Sequence, residues 1–377
     1  MKSKNIAIAG EITPSKTIIP LISRLKELDK EDKLNFKINK IIGLYHGESS
    51  KSLLETCCDE TYDIGEGRRG EKKNSNAKLA YLISKDIIKA FNALRGKKID
   101  LLITAGNAGD VRKAIVAANL LKIPVIHIEQ DIYNPIEVIS YANIVTVPEA
   151  DYKEFLERNY SLKNVVNIKG YPMVKYLSDY INEGNLKDKE DIYAEYGVKD
   201  FVLLVLGGDL KDQDIEPLIR SVEELNLKVL IAPYRFDRNM VKDTVISPNV
   251  KVLDQYVDLL SYINASSALI YAAGMGMTIE AAYFNKPSIK IEGFHTRHAS
   301  VDLAHMLNIP IVSIDQIPDA YEGLSQIDFD NSGKLLKNAE ESIEELVKIV
   351  NEFDKNKFKK SGFGSTKNIW NSRKEFR

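Results

Sequence analysis

The stretch Leu269-Ile-Tyr-Ala-Ala-Gly-Met-Gly-Met-Thr-Ile-Glu-Ala-Ala-Tyr-Phe-Asn-Lys-Pro-Ser-Ile-Lys-Ile291 decides how this chain is read. It opens as a buried strand, Ala268 to Ala272, and turns at Gly274, Met275 and Gly276. A helix from Thr278 to Phe284 and a second strand after Pro287 follow. Glycines between a strand end and a helix start let the backbone approach an anion. The free amides and the dipole of the helix's first turn then favour phosphate. Thr278 is placed to cap that helix, and Glu280 falls in its first turn, where a carboxylate can accept hydrogen bonds from a ribose diol. A plain strand, turn and helix with a capping Thr and a dipole-complementing Glu fits the same residues. The stretch alone leaves both readings open.

Outward from this motif, strands and helices alternate along the whole chain, which predicts parallel sheets flanked by helices. In the first half the strands are Asn5 to Ala9, Lys37 to Tyr45, Thr61 to Ile64, Asp100 to Thr104, Pro124 to Ile128, Ile144 to Val147 and Asn164 to Lys169. In the second half they are Phe201 to Leu206, Lys228 to Ala232, Val250 to Leu253, the two of the opening motif, and Val312 to Ile314. Helical spacing of apolar residues marks Thr17 to Leu28, Leu79 to Leu94, Val111 to Leu121, Ile215 to Leu225 and Lys334 to Phe353. The charged run from Asp179 to Lys199 reads as an interdomain linker. The expected organisation is a first domain over 1–178, a second over 200–353 and a basic tail over 354–377. The aromatic residues of that tail, Trp370 and Phe376, favour docking back on the first domain.

Composition narrows the function classes. A chain of 377 residues suits two domains, and 44% hydrophobic with 28% charged residues is ordinary globular usage. A net charge of −2 gives no basic field for nucleic acid or an acidic membrane. No run approaches the roughly 18 apolar residues of a membrane span, and the apolar part of the start is too short for a signal peptide. The two cysteines, Cys57 and Cys58, are adjacent, which excludes a disulfide framework and fits a reducing cytoplasm.

Polar residues collect at strand ends, where open parallel sheets bind ligands. Leu206 leads into Gly207-Gly208-Asp209, a second candidate phosphate loop. Glu129, at the end of Pro124 to Ile128, is a candidate general base or a structural carboxylate. Neighbouring His127 is a core histidine or a ligand contact. Asn107 and Asp110 follow Gly106 and can bind sugar hydroxyls or cap the next helix. Glu11 and Lys16, in the first loop, are acceptor contacts or merely solvated. Arg235 and Arg297 suit a diphosphate because a fork of donors matches phosphate oxygens, or they form surface ion pairs. His295 and His298 flank Arg297, but only Glu292 is near enough in sequence to join them, so no metal is expected.

The order of these features resembles the two-domain nucleotide-sugar enzymes of the GT-B architecture, an α/β fold of two facing Rossmann-like domains. It is similar to the N-acetylglucosaminyltransferase that completes the lipid-linked peptidoglycan precursor, and also to the non-hydrolysing UDP-N-acetylglucosamine 2-epimerases. Ile123-Pro-Val-Ile-His-Ile-Glu-Gln-Asp131 looks like the strand end of both families. Leu206-Gly-Gly-Asp209 is similar to the transferase's phosphate loop, and Gly274 to Glu280 with Asn285-Lys-Pro287 to the donor-binding run of both. The resemblance implies that Glu280 binds the ribose hydroxyls and that Gly274, Gly276 and Thr278 sit at the diphosphate. It also implies that the main chain near Tyr256 and Val257 faces the base. The epimerase opening carries Arg and Glu where this chain has Ile12 and Pro14, and its Gly-Asp-Thr becomes Gly106-Asn107-Ala108. An epimerase must remove and return a proton, and most of that acid–base set is absent.

The resulting expectation is a cytoplasmic glycosyltransferase that takes a UDP-sugar donor, UDP-N-acetylglucosamine foremost, in the cleft between the domains. The acceptor is undefined, no cofactor or metal is expected, and homodimerisation is left open. A UDP-N-acetylglucosamine 2-epimerase or UDP-sugar hydrolase is the alternative chemistry, and a nucleotide-binding protein without turnover is the non-enzymatic one.

Overall fold

The computed structural model describes residues 2–65, 76–130, 132–208, 210–293 and 298–375. The chain forms two compact units, one of Met1–Tyr176 with Lys337–Arg377 and one of Leu177–Leu336.

The first unit holds strands β1 (Lys2–Ala9), β2 (Phe36–Tyr45), β3 (Glu60–Asp63), β4 (Leu101–Ala105), β5 (Val125–Ile128), β6 (Ile144–Val147) and β7 (Val165–Asn167). All are parallel, in the order β3-β2-β1-β4-β5-β6-β7. Every residue of β4, β5 and β6 is buried. That is why these strands read as mainly apolar runs, broken only by Thr104, His127 and Thr146: helices cover both faces of the sheet. The sheet's direction of winding reverses between β1 and β4, so the crevice at their carboxyl ends is the ligand position of such folds. The helix after β1 spans Ile12–Lys30, starting before the expected Thr17. Pro14 is tolerated in its first turn, where its missing N–H has no helical partner to lose.

Two expected boundaries shift here. The helix Ser332–Asn351 carries Ile343, Leu346, Val347 and Val350 into the core of the first unit, so residues 337–353 group there and not with the second domain. An amphipathic stripe goes where an apolar face is open to it. The tail follows: Asn143 Nδ2 donates to the Phe358 carbonyl at 2.8 Å, and Ser365 Oγ to the Ser161 carbonyl at 2.8 Å. The tail then forms the helix Phe363–Glu375, which buries Ile369.

The second unit holds β8 (Val202–Val205), β9 (Val229–Ala232), β10 (Val250–Val252), β11 (Ala268–Tyr271), β12 (Ser288–Ile291) and β13 (Ile311–Val312). They too are parallel, in the order β10-β9-β8-β11-β12-β13, with the reversal between β8 and β11. The segment read as a linker contains the helix Lys189–Tyr196, capped by Asp188 and closed by a left-handed Gly197. It packs within this unit, with the Tyr193 hydroxyl donating to the Ala265 carbonyl at 3.0 Å.

The helix of the opening motif also differs from its expected span. It runs Met275–Tyr283, with extended Gly274 as N-cap. Thr278 therefore lies inside the helix and does not cap it. Glu280 lies in the second turn, not the first. Gly276 costs only about 1 kcal/mol in a helix relative to Ala, too little to hold the start back to Thr278.

Candidate functional site

At the crevice of the second unit, the loops after β8 and β11 touch. A β-carbon on Gly207 would fall 1.6 Å from the Ala272 carbonyl oxygen, so only glycine fits. Gly208 has nothing within 4 Å of such a carbon and faces open space. Across from them, Gly274 delivers the chain into the helix Met275–Tyr283. By helix geometry, the amides of Met275, Gly276 and Met277 have no partner within that helix. Thr278 is fully buried. Its Oγ1 accepts from the Tyr271 hydroxyl at 3.1 Å and donates to the Gly274 carbonyl at 3.3 Å, which fixes the turn from below.

Lys290 was not singled out from the sequence. Its side chain is 2% exposed, and Nζ donates to the Ala273 carbonyl at 2.6 Å while lying 5.4 Å above the Tyr271 ring. A buried cation thus stands directly beneath the glycine turn. The legible signal was a lysine inside the otherwise apolar run Ser288-Ile289-Lys290-Ile291. His298 was considered only as a metal ligand. It caps the next helix, Ala299–Met306, by accepting from Ser300 N at 3.1 Å, and its Cε1 would be 3.8 Å from a β-carbon on Gly274.

The neighbouring strand ends bring in the other candidates. The exposed Arg235 guanidinium donates to the Leu210 carbonyl, tying the loop after β9 to that after β8, and stacks 5.1 Å from the Phe236 ring. Gln255 donates to the Phe236 carbonyl at 2.8 Å and accepts from Arg238 N at 3.1 Å, so Tyr256 and Val257 are held beside this loop. Tyr256 is 82% exposed. Glu280 is nearly buried on the helix above the turn. Arg297, with His295, lies outside the described residues, as do Asp131, Asp209 and the Arg68-Arg69 segment.

At the crevice of the first unit, left-handed Gly106 lets the β4 loop pass Pro14, where a β-carbon would come 2.5 Å from Pro14 Cγ. Asn107 spends its amide on the 134–136 loop: Nδ2 donates to the Asn134 carbonyl at 3.2 Å and Oδ1 accepts from Ile136 N at 3.3 Å. Glu129 is fully buried. One oxygen accepts from Gln130 N at 2.8 Å and the other lies 3.2 Å from His127 Nε2, whose Nδ1 is 2.9 Å from Thr104 Oγ1. This is a buried relay across the ends of β4 and β5, with His127 packed in the core.

Beside it stands a second cluster. Glu11, His46 and Asp110 place one donor atom each within 4.8 Å of one another, the set closest to a metal-ligand arrangement among the described residues. His46 Nδ1 and Asp110 Oδ2 are buried without a hydrogen-bond partner. Burial, followed by the Glu11 charge, pushes the Asp110 carboxyl up to about 7. Burial and the Lys113 ammonium hold His46 down to about 4, against the opposing pull of Asp86 and the Ile64 carbonyl. Lys113 pairs with buried Asp86, and its Nζ lies 3.4 Å from His46 Nε2. The sequence hid this set because its members follow β1, β2 and β4, far apart along the chain.

Two parallel sheets, each wound about a reversal point with glycine loops at its crevice, define an α/β protein of the GT-B type. Known proteins agree at the level of the fold. No family model matches the chain. A curated relative is the UDP-N-acetylglucosamine–N-acetylmuramyl-(pentapeptide) pyrophosphoryl-undecaprenol N-acetylglucosamine transferase of Staphylococcus carnosus (strain TM300). It is 27% identical over 224 residues, which is 57% of this chain and 58% of that protein, so the match spans little more than half of the relative. Among solved structures, the UDP-GlcNAc 2-epimerase of Methanocaldococcus jannaschii in complex with UDP-GlcNAc and UDP superposes with a TM-score of 0.70 at 16% identity. That similarity covers 93% of this chain and 99% of that one. MurG of Acinetobacter baumannii superposes with a TM-score of 0.51 at 16% identity, over 93% and 100%.

Proposed function

We propose that this protein is a cytoplasmic enzyme that binds a UDP-sugar, UDP-N-acetylglucosamine foremost, through its second unit and transfers the sugar to an acceptor hydroxyl. The observation that carries this reading is the crevice between β8 and β11. There Gly207 is pressed against Ala272, the helix Met275–Tyr283 presents its N-terminus, and Lys290 lies buried under the turn. Open amides, a helix dipole and a fixed cation are what a diphosphate needs, first as ligand and then as leaving group. In this reading Gly207, Gly208, Gly274, Met275, Gly276 and Arg235 serve the diphosphate, with Thr278 fixing the turn. Glu280 takes the ribose hydroxyls, and the chain at Tyr256 and Val257 faces the base. Glu129 and Asn107, with their polar atoms committed to neighbouring residues, hold the acceptor-side loops in place, and Glu11, in the loop after β1, serves the acceptor. The likeness to the Staphylococcus carnosus N-acetylglucosamine transferase supports transfer.

Epimerisation is the second reading, and the higher TM-score of the M. jannaschii structure favours it. Product analysis separates the two. UDP-N-acetylglucosamine incubated alone yields N-acetylmannosamine products if the chain epimerises or hydrolyses it, and stays intact until an acceptor is added if it transfers. Binding without turnover under every acceptor tried removes both enzymatic readings.

A further inference from the structure

We propose that Asp110 and His46 form the hydroxyl-handling pair of the reaction, His46 holding the attacking oxygen and Asp110 taking its proton; this rests on the transfer reading above. Two buried atoms here are orphaned. Asp110 is fully buried, Oδ1 accepts from Val111 N at 2.7 Å, and Oδ2 has no partner. His46 is 6% exposed and its Nδ1 has none. Leaving a buried polar atom unpaired costs roughly 1–3 kcal/mol, so two at one point mark a place for a polar group that is not part of the chain.

The kind of group follows from the neighbours. Lys113 can only donate, and it stands 3.4 Å from His46 Nε2. In the tautomer this proposal requires, the Nε2 lone pair faces Lys113 and the ring proton is on Nδ1. The cluster then offers one donor, Nδ1–H, and one acceptor, Oδ2. A hydroxyl is the group that satisfies both, accepting from the ring and donating to the carboxylate. Two hydrogen bonds of ordinary length meeting at a tetrahedral oxygen hold their partners about 4.6 Å apart, and Glu11, His46 and Asp110 each bring one nitrogen or oxygen to within 4.8 Å of the others. A divalent cation fits less well. It needs the Nδ1 lone pair, and the Lys113 ammonium repels it.

The step balances. As the acceptor oxygen bonds to the anomeric carbon, its proton passes to Asp110 Oδ2. The bond from that carbon to the diphosphate breaks, and its electron pair leaves with UDP. Asp110 then returns the proton through Glu11 to solvent. The charged and titratable groups facing Asp110 are Glu11, His46 and Lys113, with Asp86 behind Lys113. A carboxyl lifted toward neutrality by burial and by Glu11 is matched to base catalysis at neutral pH.

The test uses the full-length protein and three readouts. Calorimetry with UDP reads the donor site alone: wild type, D110N and H46F should bind within about twofold of each other. Failure of wild type to bind UDP would overturn the donor reading on which this one rests, whereas UDP binding with an unaffected D110N turnover would overturn this one alone. UDP release from UDP-N-acetylglucosamine with glycerol as the hydroxyl probe should fall at least ~100-fold in D110N. The ionisation near neutrality should vanish from its pH profile, and D110E should restore part of the rate. Independently of turnover, the carboxyl carbon resonance that D110N abolishes should shift on adding glycerol to wild type. Three results overturn the inference: D110N turning over at the wild-type rate with the wild-type profile, an Asp110 resonance indifferent to glycerol, or Mn2+ or Zn2+ binding to wild type and not to D110N.

Discussion

Gly207 and Ala272 approach so closely that a β-carbon on the glycine would sit 1.6 Å from the alanine's carbonyl oxygen. This contact joins the loops after β8 and β11 at the reversal point of the sheet, and it sets the shape of the proposed diphosphate cradle. Gly207→Ala should therefore separate the loops, lower the melting temperature and weaken UDP at least ~10-fold, about 1.4 kcal/mol. Gly208→Ala, with nothing within 4 Å, should do neither. Thermal unfolding and UDP calorimetry on the two variants check this, and equal behaviour would refute it.

Glu280 lies one turn deeper in its helix than the sequence suggests, still over the glycine turn. If its carboxylate accepts from the ribose, wild type should prefer UDP to 2′-deoxy-UDP. Hydrogen bonds to a charged group are worth about 1.5–3 kcal/mol, so the preference should be on the order of tenfold or more. Glu280→Ala should erase it by weakening UDP alone. A preference that survives the substitution assigns the ribose elsewhere.

Asp110 makes a pH-dependent contribution to stability. Its folded pKa is raised from 3.8 to about 7, so the native state holds a proton that the unfolded state has released. Its contribution is fully present below pH 3.8 and is lost as pH rises through 7. His46, lowered to about 4, acts in the opposite sense between its folded and unfolded values, so the absolute curve mixes the two. The difference between wild type and D110N isolates Asp110. Urea midpoints from pH 4 to 8 should show wild type losing stability relative to D110N as pH rises. A difference that does not change with pH would contradict the assignment.

Glu129 makes its own prediction. With one oxygen on Gln130 N and the other beside His127 in a fully buried site, Glu129→Ala should cost about 1–3 kcal/mol for each buried polar group it leaves unpaired. Glu129→Gln, which keeps the shape and one acceptor, should cost much less. Denaturant titration of both variants reads the difference directly.

The strands were legible because their sheets are covered on both faces: runs such as Leu101–Ala105 and Val202–Val205 are buried at every position and almost wholly apolar. The helices missed in the sequence lack that signal. Lys189–Tyr196 buries only Ile192, so its charged residues look like a linker. The start of the motif helix was misplaced because glycines in its first turn look like a loop. In the second unit, glycines and strand ends pointed to the crevice, but buried Lys290 did not stand out. On the other side, Glu11, His46 and Asp110 come together only through the order of β2, β1 and β4, which no local pattern encodes.

Calorimetric titration with UDP, ADP and GDP tests the central claim most directly. The account predicts saturable UDP binding at least ~10-fold tighter than either purine nucleotide, abolished or strongly weakened by Gly207→Ala and retained by Gly208→Ala. No binding of UDP, or binding indifferent to Gly207→Ala, would contradict it.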